Sequence, residues 1–177
     1  MEQKKPVAVI AGAGRGNGAA LARRFAKGGY AVALLARDMR KAADFADKIS
    51  GAVSYACDVG DPASVAAAFG AIQSDLGAVS VLLFNAGSGV FKSVEEITPA
   101  EFEASWRVNA YGALLCSQAV LPGMKARGAG SILFTGATAS LLRDNTTRRV
   151  ARLTLGIWRA MAAARSLFCA SGAPQSC

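Results

Sequence analysis

The sequence contains no histidine and only four cysteines. Without an imidazole, the side chain that most often serves as a general base near neutral pH is missing, and so is the nitrogen ligand that most zinc sites use. Cys57, Cys116, Cys169 and Cys177 lie far apart and follow no metal-ligand spacing. They read as reduced thiols of a cytoplasmic protein, and no metal site is expected. Long apolar runs are also missing: no stretch approaches the roughly 20 residues needed to span a bilayer. The charged start before the apolar run "PVAVIAG" has the outline of a signal peptide, but Gly12, Gly14 and Arg15 interrupt the run within a few residues. Lysine is absent after Lys125, and acid nearly so after Ser140. Residues 141–177 hold six Arg against one Asp, whereas residues 1–140 hold 14 basic and 11 acidic side chains. The net charge of +8 therefore belongs largely to the tail, which argues against a nucleic-acid partner for the main body.

What is present suits one globular domain with a real core: 177 residues, 53% hydrophobic and 18% charged. "PVAVIAG" reads as a strand buried on both faces. A helix follows in which Leu21, Ala22 and Phe25 keep helical spacing before Gly28 and Gly29 stop it. "AVALLA", "AVSYA", "VSVLLF" and "SILFTG" are four more apolar strands. Between them stand a helix over "MRKAADFADKI", a helix opened by Asp61 and Pro62, and a broken helical region from the capping box Thr98, Pro99 and Glu101 to about Arg127. Buried strands alternating with helices predict an α/β fold, a doubly wound parallel sheet with right-handed crossovers. A domain over residues 1–140 and a separate, irregular basic tail over residues 141–177 are expected.

Chemistry concentrates at strand ends. "AGAGRGNG" places Gly12, Gly14, Arg15, Gly16, Asn17 and Gly18 between the first strand and the first helix, where glycines let a pyrophosphate approach free helix N–H groups. The plain alternative is a tight strand–helix turn. At the end of the second strand an NAD site needs a carboxylate for the ribose hydroxyls, and an NADP site a cation for the 2′-phosphate. Ala36 and Arg37 stand there, with Arg15 on the neighbouring glycine loop. Two guanidiniums converging on one point favour a dianion between them, so the expected cofactor is NADP(H). The alternative is that both are surface arginines.

With these residues in hand, the chain resembles the classical short-chain dehydrogenase/reductase family, whose sheet is Rossmann-like. Gly12, Gly16 and Gly18 match the family's glycine pattern, and Asp58 and Val59 match its Asp-Val after the third strand, where the Asp contacts adenine. Asn85, Ala86 and Gly87 match its Asn-Ala-Gly after the fourth strand. Asn109 matches its helix asparagine, which holds a water in the proton relay and is the one catalytic residue the resemblance supplies. Read without the family, Asp58 and Asn85 are turn formers and Asn109 a helix-surface amide. The resemblance implies oxidation of alcohols or reduction of carbonyls by hydride transfer.

The match covers about residues 6–140 and then fails. The family's substrate-binding Ser falls at Ala137, with Thr138 and Ser140 misplaced beside it, and its Tyr and Lys, four apart, fall at Val150 and Thr154. That pair matters because a free phenol has a pKa near ~10 and needs the Lys charge to approach neutrality. None of Tyr30, Tyr55 and Tyr111 is followed by Lys four residues on, and Asp144 beside Arg143 is a solvated pair at best. The chain is therefore expected to be a C-terminally truncated or divergent member, its sheet incomplete on the C-terminal side, which binds cofactor with little or no turnover. The tail admits three readings: coding sequence read out of frame, a spliced or divergent end, or a dedicated binding segment. Two functional alternatives remain open. One is a non-catalytic module pairing with another chain, homo- or hetero-oligomeric, through the long helix after Thr98 or an exposed sheet edge; the other is a basic-tailed nucleic-acid binder.

Overall fold

The computed structural model describes residues 5–38, 43, 46–90 and 92–136. Most of the helix expected over Met39–Ile49, and all of the expected tail, lie outside the described residues. Five strands, β1 (Val7–Ala11), β2 (Ala31–Ala36), β3 (Ala52–Ala56), β4 (Val79–Phe84) and β5 (Ser131–Phe134), form one parallel sheet in the order β3-β2-β1-β4-β5. The helices are α1 (Asn17–Lys27), α2 (Pro62–Asp75), α3 (Pro99–Trp106) and α4 (Gly112–Arg127). A π-helical turn, Arg107–Tyr111, joins the last two.

The period of two along each strand sends alternate side chains to opposite faces, and both faces are covered. Val7, Val9 and Ala11 of β1, with Leu35, Leu82 and Phe84, face Val65, Phe69 and Ile72 of α2 and Cys116, Val120 and Met124 of α4. Ala8 and Ile10, with Val32, Leu34, Val81 and Leu83, face Ala22 of α1 and Ile49, and Leu21 and Phe25 pack against that layer. Every residue of β1 is buried, so the near-continuous apolar strand sequence is accounted for by two helical layers rather than one.

Local signals in the sequence coincide with the helix starts. Asp61 caps α2 by accepting from Ala63 N and Ser64 N, each at 3.2 Å, with Pro62 in the first turn. Thr98 and Glu101 form the expected reciprocal capping box on α3, and Glu101 also meets Lys92 at 2.6 Å. The Lys92 ammonium and the Thr98 N–H hold the Glu101 carboxyl down at about 2. The expected break in the long helical region is the π turn, which carries Asn109. Arg127, at the far end of α4, donates to the Val79 carbonyl and ties the helix to the start of β4.

Candidate functional site

A cleft of about 920 Å³ opens at the carboxyl ends of the strands. It lies where the strand order reverses, between β1, whose crossover leads to β2, and β4 on its other side. Open α/β sheets leave a crevice at this switch point, because successive crossovers depart to opposite faces. Its walls come from the loop after β1 (Gly12, Ala13, Gly14, Arg15), the end of β2 (Leu35 to Asp38), the segment Cys57 to Val59 and the segment Asn85 to Gly87. Arg23, Lys48 and Val108 complete it.

The glycine loop is pinned from below. Gly12 N and Ala13 N both donate to the Leu35 carbonyl, at 3.1 and 3.3 Å. Asn85 uses its main chain to bond Ala11 O at 2.8 Å and its side-chain Nδ2 to bond Gly12 O at 2.9 Å. Asn85 thus shapes the loop. Gly12 has φ +84°, and a Cβ there would lie 2.5 Å from the Ala86 backbone, so its identity follows from the fold. Gly14 is different: it lines the cleft, its φ is not positive, and a Cβ on it would meet no protein atom within 4 Å. The fold gives no reason for glycine there, whereas a ligand lying against the backbone would. Beyond it, α1 starts at Asn17 after Gly16 with no side-chain cap, leaving the positive end of the helix open to an anion.

Among the described residues, four cations, Arg15, Arg23, Arg37 and Lys48, line the cleft against two carboxylates, Asp38 and Asp58. Asp58 Oδ1 accepts from Gly60 N at 2.9 Å in a local turn, and Asp58 N donates to Ser64 Oγ at 2.9 Å. This leaves the second carboxylate oxygen without a partner among the described residues. Burial pushes the Cys57 thiol up to about 11, a change that the Ser64 hydroxyl opposes and Asp58 and Asp61 reinforce, so it sits in the wall as a neutral group.

Of the residues expected from sequence, Gly12, Gly14, Arg15, Arg37, Asp58, Val59, Asn85, Ala86 and Gly87 line this one cleft, while Gly16, Asn17, Gly18 and Asn109 do not. Gly18 sits behind the wall, where a Cβ would lie 2.6 Å from Gly12 O. Asn109 reaches from the π turn to the loop after β4: Nδ2 donates to Ser88 O at 2.6 Å and Ser105 O at 2.8 Å, and Oδ1 accepts from Ser88 N at 3.2 Å. Its side chain is committed to holding Ser88. Arg23, Lys48 and Ser88 were not singled out by sequence. Ser88 directly follows Asn-Ala-Gly and so carried a faint signal; Arg23 and Lys48 carried none. No tyrosine lines the cleft among the described residues. Tyr55 bonds Asp75 at 3.1 Å, Tyr111 stacks on Trp106 at 5.4 Å, and Tyr30 packs edge-on against Phe25 at 5.1 Å. The positions where the resemblance places Ser, Tyr and Lys (137, 150 and 154) lie outside the described residues.

A doubly wound α/β domain with a cationic, glycine-cornered cleft at its switch point defines the class. The family model described as short chain dehydrogenase matches residues 6–147, and the chain belongs to that family. It is 37% identical over 147 residues to 2-(R)-hydroxypropyl-CoM dehydrogenase of Xanthobacter autotrophicus, an alignment that takes in 77% of this chain and 58% of that protein. A metagenomic short-chain oxidoreductase solved in complex with NADP superposes with a TM-score of 0.81 at 32% identity, over 90% of this chain and 74% of the other. Gluconate 5-dehydrogenase of Burkholderia cenocepacia, solved with NADP and tartrate, gives 0.79 at 32% identity, over 90% and 64%. The chain spans little more than half the length of the curated relatives it matches. Among the described residues, no helix is long and apolar enough to cross a membrane, and no cluster of His, Cys, Asp and Glu suits a metal ion.

Proposed function

We propose that this chain is an NADP(H)-binding short-chain oxidoreductase homologue with little or no turnover of its own. The observation that carries the cofactor assignment is the placement of Arg15 and Arg37 on the same cleft as Gly14, neither guanidinium having an ion-pair partner among the described residues. A dinucleotide pyrophosphate fits against Gly14 and the open N-terminus of α1. The free oxygen of Asp58 then faces the base, and Arg15 and Arg37 hold the 2′-phosphate. The NADP named in the two solved relatives agrees with this choice. The chemistry a bound nicotinamide supplies is hydride transfer. What this chain adds is binding and orientation: Asn85 fixes the glycine loop, and Asn109, proposed as the relay residue, holds Ser88, the residue next to Gly87 of the cleft wall.

Proton transfer is where the chain falls short. The sequence has no His and no Tyr followed by Lys four residues on. General-acid help worth about 10² to 10⁴ in rate is therefore missing. Fluorescence titration tests the first half of the proposal. Each charge-assisted contact contributes about 1.5 to 3 kcal/mol, so NADPH should bind at least about tenfold more tightly than NADH, and Arg37→Asp should narrow or invert the difference. Equal affinities would end the assignment. Rapid NADPH oxidation with a simple carbonyl panel, lost in Asn109→Ala, would end the second half.

A second reading, that the chain works as a subunit, rests on the apolar side chains it exposes. Phe102, Trp106 and Leu114 stand along the helical region after Thr98, and Leu133 and Phe134 on β5. Sedimentation that stays monomeric at high concentration would remove its homo-oligomeric form.

A further inference from the structure

A smaller concavity of about 320 Å³ lies at the opposite end of the sheet from the glycine loop. Three chain segments meet there and are fixed to one another by main-chain bonds. Ala31 N donates to Pro6 O at 2.9 Å, Val32 N to Gly51 O at 3.0 Å and Ala52 N to Ile49 O at 3.0 Å. The segments that carry its lining residues are therefore tied into the start of the sheet. Around it stand Lys5 from the segment before β1, Arg23 and Lys27 from α1, and Lys48 from the turn before β3. Among the described residues, no Asp or Glu lines it, and none of these four cations has an ion-pair partner.

A lysine near a helix C-terminus needs no ligand to explain it, since it offsets the roughly half negative charge of the carbonyl end. Lys27 is accounted for in that way, and Arg24 stands in the same last turn. Three further cations from three different segments exceed what the dipole calls for. Like charges held around a concavity concentrate its field and favour an anion inside. The neutral groups point the same way. Tyr30 lines the concavity with its ring held against Phe25, and its hydroxyl has no hydrogen-bond partner among the described residues; Ser50 adds a second hydroxyl. A fixed phenol donor among unpaired ammonium and guanidinium groups is the donor set that recognises phosphate oxygens.

We propose that this concavity is a second anion site, separate from the dinucleotide cleft, which takes a small phosphorylated molecule carrying at least two negative charges. Its volume is near the lower end of the ~300–1,000 Å³ usual for small-molecule sites. Arg23 and Lys48 line both the concavity and the cleft, so an anion here draws on cations that also face the dinucleotide.

The test uses the full chain, isotopically labelled, with inorganic pyrophosphate as the probe, and follows amide shifts with and without NADPH. The expected result is saturable binding of one equivalent that shifts Lys27, Tyr30 and Ser50 in both conditions. Lys27→Glu, at a residue that lines this concavity and not the cleft, should weaken that binding at least tenfold while leaving NADPH affinity within twofold. Lys5→Glu, on a different segment, should do the same, and unchanged circular dichroism confirms that either variant folds. The proposal is overturned by shifts confined to Gly14 and Arg15, by loss of the Tyr30 and Ser50 shifts once NADPH is added, by absence of saturable binding, or by indifference to both variants. Tighter binding of a single-stranded oligonucleotide than of pyrophosphate, weakening steeply with salt, would assign the cations to nucleic acid and overturn it equally.

Discussion

β1 and β5 are short apolar strands of the same parallel sheet, written with similar residues, and they end up in opposite situations. Val7–Ala11 has a strand on each side and a helical layer on each face, and all five residues are buried. Ser131–Phe134 pairs with β4 alone among the described residues. Ile132 packs against the core on the α2 and α4 side, but Leu133 is 48% exposed and Phe134 37%, although Phe134 leans on Phe84 at 6.2 Å. An apolar run states what a segment would gain from burial, whereas its neighbours decide whether it is buried. The cleft is built on the covered side of this contrast. Its glycine loop follows the most buried strand, so the site inherits that rigidity.

The sharpest way to break the comparison is to cut the two strands alike. Ile10→Ala removes a fully buried side chain between the α1 layer and Leu34 and Leu83, and should cost about 2 to 5 kcal/mol in urea unfolding. Leu133→Ala, at a half-exposed site, should cost less than about 1 kcal/mol. Equal costs would mean that β5 is covered in solution.

The glycine loop offers a second, smaller contrast. Gly12→Ala places a Cβ 2.5 Å from the Ala86 backbone at a φ of +84°, so it should destabilise the fold by at least about 2 kcal/mol. Gly14→Ala meets nothing in the protein and should leave stability within about 0.5 kcal/mol of the parent, yet weaken NADPH binding by an order of magnitude or more. A Gly14→Ala chain that binds NADPH normally would show that the ligand does not approach the loop there. Native-state hydrogen exchange extends the comparison to the backbone: Ile132 to Phe134 should exchange faster than Val7 to Ile10, because an edge strand opens without unfolding the rest.

The order of elements, the two-faced burial of β1 and the capping of α2 and α3 could all be read in the sequence, because each depends on residues within a few positions of one another. Asp61 with Pro62 and Thr98 with Glu101 are local chemistry. So was most of the cleft: in a parallel sheet the carboxyl ends of the strands lie on one side, and residues just after β1, β2, β3 and β4 meet there whatever their separation in sequence. The roles of individual side chains were less legible. The sequence places Asn85 and Asn109 at the site, but only the fold shows that the first spends its amide on Gly12 O and the second on Ser88 and Ser105. Arg23 and Lys48 reach the cleft because of how α1 lies along the sheet and where the turn before β3 ends, and neither fact has a sequence pattern. The basic concavity beneath was invisible for the same reason. Its four cations are scattered over 44 positions and are brought together only by the strand ladder.

A further modest effect at neutral pH concerns the face of the sheet under α2 and α4. Tyr55, Cys57 and Cys116 lie in the layer under α2 and α4. Burial, then the hydrogen bond to Asp75, raises the Tyr55 phenol to about 12, while burial lifts Cys57 to about 11 and Cys116 to about 12. All three ionise by losing a proton, and in the unfolded chain they do so at their ordinary values, about 8.5 for thiols and 10 for phenol. Between those values and the raised ones the unfolded state sheds protons that the folded state keeps. The stabilisation is thus complete below about pH 8.5 and is lost progressively as pH climbs towards 12. Tyr55→Phe should cost only about 0.5 to 1.5 kcal/mol at pH 7, the worth of one hydrogen bond. It should also flatten the fall in urea midpoint between pH 10 and 12 relative to the parent. Leu133→Ser on β5, at the opposite end of the strand order from Tyr55 on β3, should leave the slope of that alkaline limb unchanged. A slope that changed with Leu133→Ser and not with Tyr55→Phe would mean that the exposed edge, rather than the covered face, limits stability at high pH.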